Sequence, residues 1–276
     1  MNGFQNTEAI LDMISDLLSY LTPGNFLYFD LLAAFTNALN GALLCQRPDH
    51  YRNRFITMVG ILVFAVFGGI GGGVTRDVLL NDTPSSLTNP WYLILVFIAW
   101  IIGMRTAWTK DQNFRETYFQ FMTSFSLPWY AVVGVDKGLQ AHWPLMGALF
   151  LGVVGPTAGR LLIDVGSGVP AKQFVQGEWF IGTAILTSVV YYILRSGAYG
   201  GYGLSINIVV ASLLAFAIGF AFRVLALWFG WEEPMPRRLP TWLLKGAPKR
   251  ETLKEKMQPG WVPSWEEPPD RSDFSA

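Results

Sequence analysis

The chain has 276 residues, of which 51% are hydrophobic and only 14% charged, and its mean hydropathy is +0.33; soluble domains carry about 25% charged residues. That balance excludes a single large soluble core and points to an all-α integral membrane protein. With 20 Lys plus Arg against 20 Asp plus Glu there is no basic surface for nucleic acid, and the lone cysteine, Cys45, excludes an internal disulfide and a multi-cysteine metal site.

Residues 1–25 read as an amphipathic amino-terminal segment, because Ile10, Leu11, Ile14, Leu17 and Leu18 recur at helical spacing. Its acidic residues stand where a signal peptide would be basic. Seven stretches then meet the length and apolarity of a spanning helix. They run from Phe26 to Gln46, Ile56 to Leu80, Trp91 to Trp108, Thr117 to Leu139, Trp143 to Val165, Glu178 to Arg195 and Leu204 to Gly230. Residues 231–276 form a Pro-rich tail that holds eight of the 20 Lys plus Arg. His50 and His142 flank different segments with no partner at ligand spacing, so no metal site is expected.

Lys and Arg fall almost entirely on one side of these spans. Arg47, Arg52, Arg54, Arg105, Lys110, Arg115, Lys172 and the tail share it, and the opposite loops hold only Arg195. The positive-inside rule therefore predicts an external amino terminus and a cytoplasmic tail.

The chain also contains an internal repeat. FTNALNGALLC (35–45) resembles PWYAVVGVDKGL (128–139), and each is followed by a glycine-interrupted helix: GGIGGGVTRDVLLNDTP, then GVVGPTAGRLLIDVGSGVP. Residues 26–108 and 117–195 thus form two three-helix repeats, with 204–230 as a seventh helix. Units of three helices enter the membrane in opposite orientations, and inverted repeats with broken helices point to a transport site near the midplane.

The residues that carry this site are glycines and charges. Gly68, Gly69, Gly71, Gly72 and Gly73 strip side chains from the second span. Close packing explains them in one way, since Gly68/Gly72 and Gly69/Gly73 have small-xxx-small spacing. The other explanation is a kinked or unwound segment whose carbonyls line a wet path, with Gly155, Pro156 and Gly159 as its counterpart in the fifth span. Arg76 and Asp77 form an interfacial ion pair or set the potential of a pore mouth. Arg160 and Asp164 are spaced i, i+4 and can satisfy each other. Asp136 and Lys137 point about 100° apart on one helix, and Lys137 either snorkels outward or acts as a gating charge. Asp30 and Arg223 are weaker candidates. Thr36, Asn37 and Asn40 give the first span a polar stripe that lines a pore or bonds neighbouring helices.

With GGIGGGVTRDVLL followed by Pro84, an FxxALxGAL-like helix before it and PWYAVVGVDKGL mirroring that helix, the chain resembles the bacterial relatives of the trimeric intracellular cation (TRIC) channels. That group includes short inner-membrane proteins described as glycine transporters. The resemblance covers about residues 26–195 by motif and extends to 230 by helix count. It implies a seven-helix protomer, a homotrimer in the cell inner membrane, and a potassium-permeable pore in each protomer beside the kinked second and fifth helices. Gly71, Gly72 and Gly73 would match the first kink, and Lys137 the fourth-helix lysine. The second repeat departs from the pattern, since GPTAGRLLID aligns only Gly159 and Asp164 after a small insertion and displaces Arg160.

The sequence carries no catalytic motif and implies no cofactor beyond a transported potassium or other monovalent cation. The leading expectation is a passive monovalent-cation channel. The alternatives are a secondary carrier of a small solute such as glycine, and a membrane scaffold whose tail binds a partner.

Overall fold

The computed structural model describes residues 26–46, 56–109, 112–168, 171–174, 179–231 and 233. The amphipathic segment expected over 1–25, the tail beyond Glu233 and most of the basic loop 47–55 lie outside the described residues. Those described form helices joined by turns and short loops: α1 (Phe26–Leu44), α2 (Met58–Leu79), α3 (Pro90–Thr109), α4 (Gln112–Gln140), α5 (Leu145–Gly166), α6 (Phe180–Arg195) and α7 (Ile208–Phe229). Among them, α2, α5, α7 and the stretch Phe180–Tyr199 are long and apolar enough to cross a membrane, and a shorter apolar helix covers Pro90–Thr106.

Helices α1 and α4 carry many of the buried polar residues and sit in the middle of the bundle. α1 packs against α2, α3 and α4, and α4 packs against α1, α5, α6 and α7. Small residues allow this approach: Ala33, Ala34, Ala38 and Ala42 on α1 are fully buried, as is Ala131 on α4. The surrounding helices turn large apolar side chains outward, among them Phe97 and Ile101 on α3, Phe150 on α5 and Leu213 on α7. That pattern suits a lipid solvent, in which polar groups belong inside the bundle.

Two larger apolar cores result, beside a small cluster of Ala33, Trp129 and Tyr130. One gathers Ala38, Leu39, Ala42, Ile61, Ala65, Tyr92, Val96 and Ala99 from α1, α2 and α3. The other gathers Val132, Val135, Leu139, Ala148, Tyr191, Ala211 and Ala215 from α4 to α7. The two halves meet along α1 with α4 and along α2 with α5.

Most helix ends shift by one or two residues from the sequence expectation, and three starts have a clear local cause or a larger shift. α4 begins at Gln112, five residues before Thr117, because the stretch QNFRE continues the helix. α3 starts at Pro90, a favoured first helical residue whose missing N–H costs nothing there. α7 starts at Ile208, not Leu204. Leu204 and Ile206 instead donate backbone bonds to the Ile193 and Leu194 carbonyls at the end of α6, and Asn207 caps α7 by accepting from the Val209 N–H at 2.9 Å.

Candidate functional site

The glycine run of α2 is neither unwound nor an ordinary α-helix. Met58–Val66 and Gly72–Leu79 are α-helical, and Phe67–Gly71 between them makes one π-helical turn. A π turn accommodates one extra residue and loosens the carbonyl pairing of the ladder, and such turns recur at functional sites. The Gly69 carbonyl accepts from the Tyr130 hydroxyl of α4, and the Gly71 carbonyl accepts from Thr75 Oγ1 at 2.8 Å.

The five glycines serve different neighbours. A Cβ on Gly68 would meet the Asn37 carbonyl of α1, and one on Gly69 would press on Ala38 of α1 and Val96 of α3. On Gly72 it would collide with the Gly155 carbonyl of α5, while on Gly71 it would lie 2.9 Å from Leu162 Cδ1. At Gly73 the nearest atoms, Arg76 Nη2 and Ser86 Oγ, are 3.8 and 3.9 Å away. Packing thus accounts for the first four glycines, and Gly73 instead leaves room beside a buried guanidinium.

The partner cluster on α5 stays α-helical through Gly155, Pro156 and Gly159, so of the kinked and unwound alternatives the backbone there is not unwound. Pro156 lacks an N–H, so the Gly152 carbonyl loses its helical partner while the coil continues. A Cβ on Gly159 would lie 2.9 Å from the Phe67 carbonyl. The two glycine clusters are therefore in direct backbone contact. On one side of this contact lies a small recess, lined by Asn37, Asn40, Gly68, Thr123, Pro156 and Arg160 among others. Asn37 Oδ1 accepts from Ser126 Oγ of α4 at 2.6 Å. Asn40 Oδ1 is buried with no protein partner among the described residues. Thr36 does not join this lining, since its hydroxyl bonds back to the Leu32 and Ala33 carbonyls of its own helix.

Charges occupy both ends. Arg160 Nε lies 3.2 Å from Asp164 Oδ1, and its guanidinium lies 5.6 Å from the Phe119 ring. Toward the other end of α2, Arg76 Nε meets Asp77 Oδ1 at 2.9 Å, and Lys137 Nζ of α4 meets the same oxygen at 2.8 Å. Arg76 and Asp77 are essentially inaccessible, whereas the Lys137 side chain is 24% exposed. Asp77 Oδ2 accepts from both the backbone N–H and the hydroxyl of Ser85, each at 3.0 Å. Arg76 Nη2 also lies 3.9 Å from Asp30 Oδ2, which takes a 2.6 Å bond from the Tyr92 hydroxyl. Two carboxylates and two cations thus neutralise one another, as burial of charge in a bundle requires.

Asp136 lies outside this network. Its carboxylate turns away and accepts from Tyr191 on α6 at 2.7 Å and from Gln140 at 2.6 Å. Arg223 is buried on α7 with its guanidinium 5.8 Å from the Phe180 ring. Sequence reading passed over Tyr92, Tyr130, Ser85 and Ser126. Each is a polar residue one or two positions from a span end or a proline, and only the fold brings it to its partner.

The helical bundle that carries this site has the fold of solved TRIC channel structures. A structure of a TRIC cation channel solved for its conductance superposes with a TM-score of 0.63 at 21% identity, covering 77% of this chain and 98% of that one. The TRIC orthologue of Rhodobacter sphaeroides gives 0.63 at 23%, covering 74% and 98%. Within that fold class the chain belongs to the glycine transporter family, whose model matches residues 27–107 and 120–196. A UPF0126 membrane protein of Deinococcus radiodurans is 26% identical over 174 residues, 61% of this chain and 75% of that protein. The UPF0126 inner membrane protein YadS of Escherichia coli is 21% identical over 213 residues, 76% and 94%.

Proposed function

We propose that the protein is a passive monovalent-cation channel, permeable to potassium, whose path runs inside the protomer between α2 and α5. The observation that carries this reading is the backbone contact between the two glycine clusters. Side chains are removed from both helices where a recess lined by Asn37, Asn40, Thr123 and Arg160 together with apolar side chains ends, and the charges beyond it are paired. Carbonyls in such a constriction can replace part of an ion's hydration shell. The π turn supplies a helix whose backbone bonds can be exchanged at low cost.

In this reading all seven helices span the membrane as two inverted three-helix repeats plus α7, and the double match of one family model supports the repeat. The amino terminus lies outside and the tail in the cytoplasm. The protomers form a homotrimer in the inner membrane, supported by the trimeric Rhodobacter sphaeroides orthologue and by the inner membrane protein of Escherichia coli. A carrier of glycine is the second reading, favoured by the description of the family.

Purified protein in planar bilayers separates the two. Unitary potassium currents that survive replacement of chloride by a large anion are the expected result. Saturable, counterflow-competent glycine uptake without such currents overturns the channel in favour of the carrier.

A further inference from the structure

Asp136 and Lys137 are consecutive on α4 and are held by opposite neighbours. Lys137 Nζ reaches Asp77 on α2 at 2.8 Å and Ser85 Oγ at 3.4 Å. Asp136 is 1% exposed and accepts from the Tyr191 hydroxyl of α6 at 2.7 Å and from Gln140 one turn on at 2.6 Å, with Tyr199 and Arg195 also beside it. A third face of the same turns lies flat on α5. A Cβ on Gly134 would come within 2.8 Å of Gly152 Cα, and one on Gly138 within 2.9 Å of Ala148 Cα. The two glycine contacts fix how close α4 lies to α5, with Val135 Cγ2 and Leu151 Cδ1 packed beside them.

We infer that Asp136 and Tyr191 are positioning residues for Lys137. Their hydrogen bond sets the rotation of the last turns of α4, and that rotation aims Lys137 Nζ at Asp77. A helix turns about 100° per residue, so a rotation of a fraction of that angle moves the end of a lysine side chain by several ångströms. The Asp136–Tyr191 bond is well suited to the task. A buried carboxylate cannot exchange its partner for water, so the bond has one setting. Tyr191 is itself fully buried in the α4–α7 core, which makes the anchor rigid. The α6–α7 side of the bundle is thereby linked to the ion pair that joins the two halves of the chain, through two adjacent residues. This inference rests on the proposed permeation reading only for its consequence in flux, not for the geometry.

The test uses the full chain in detergent and the chemical reactivity of two internal reporters. Lys137 is partly exposed, and its acetylation by an amine-selective reagent is followed by peptide mass spectrometry. Cys45 is fully buried and is the sole cysteine, so its thiol reports general loosening of the bundle. In Tyr191→Phe and Asp136→Leu, Lys137 acetylation should rise at least threefold while Cys45 stays unreactive. Asp136→Asn, which keeps an oxygen acceptor for Tyr191, should react at the wild-type rate. Unchanged Lys137 reactivity in Tyr191→Phe, or a parallel rise at Cys45, overturns the inference. Potassium flux is measured on the same preparations. A selective rise at Lys137 with flux untouched in these variants and in Lys137→Met leaves the positioning role standing and removes Lys137 from permeation.

Discussion

Lys137 Nζ lies 2.8 Å from Asp77 Oδ1, so a single carboxylate oxygen receives a cation from α4 while Arg76, its own neighbour on α2, holds the same atom at 2.9 Å. The two cations differ in what they stand to lose. Asp77→Asn leaves a fully buried guanidinium with Asp30, 3.9 Å away, as its remaining counter-charge and should destabilise the protein by about 3 kcal/mol, the usual penalty for breaking a buried pair from one side. Lys137→Met leaves Asp77 still paired with Arg76 and removes a charge that already reaches solvent, so its cost should be about 1 kcal/mol. Thermal unfolding of both variants in one detergent reads the difference, and equal melting temperatures would show that Lys137 matters as much to Asp77 as Arg76 does.

Neighbouring glycines in the same run should respond differently to one methyl group. Gly72→Ala drives a Cβ into the Gly155 carbonyl, and backbone cannot rotate away. The helices must separate, at a cost of about 1–3 kcal/mol. Gly73→Ala meets nothing closer than 3.8 Å and should fold like the parent. Melting temperatures and potassium flux of the pair provide the check: Gly72→Ala should lose both, and Gly73→Ala should lose only flux.

Tyr130 is a further target. Its hydroxyl donates to the Gly69 carbonyl inside the π turn, and Tyr130→Phe removes that buried bond at a cost of about 1 kcal/mol. Amide hydrogen exchange over residues 67–73 should quicken in this variant, with exchange in α7 unaltered. Uniform protection in α2 would mean that the hydroxyl does not hold the turn.

Removal of residues 234–276 tests the scaffold alternative. The cut is placed after Glu233 because its Oε1 accepts from the Gly182 N–H at 3.1 Å, in the first turn of α6. Potassium flux per protein should be unchanged. Abolished flux would assign the tail an essential role.

Much of the fold was legible because membrane helices are written in composition: α2, α5 and α7 were evident from apolarity, and the glycine clusters from their rarity. The family resemblance also followed from GGIGGGVTRD and its partner motif. What could not be read was direction. Thr36, Asn37 and Asn40 lie on one helix, but whether a hydroxyl points at a recess or at its own backbone depends on a side-chain rotation. Asp136 and Lys137 are adjacent and titratable, and only the placement of Tyr191 and Asp77 shows that they serve separate partners. The glycine run could be packing or distortion from its spacing alone. The structure contains both, because the π turn faces α1, α4 and α5 at once.

The π turn at Phe67–Gly71 also gives α2 a place where length can change. One surplus residue is absorbed there within a single turn, so excising a residue from 67–71 would allow a continuous α-helix and leave Arg76 and Asp77 close to their present phase. Excising one from the α-helical stretch beyond the turn, Gly72–Thr75, would instead turn Arg76 and Asp77 by about 100° and cost them their alignment with Lys137. Length is therefore under tighter constraint beyond the turn than within it.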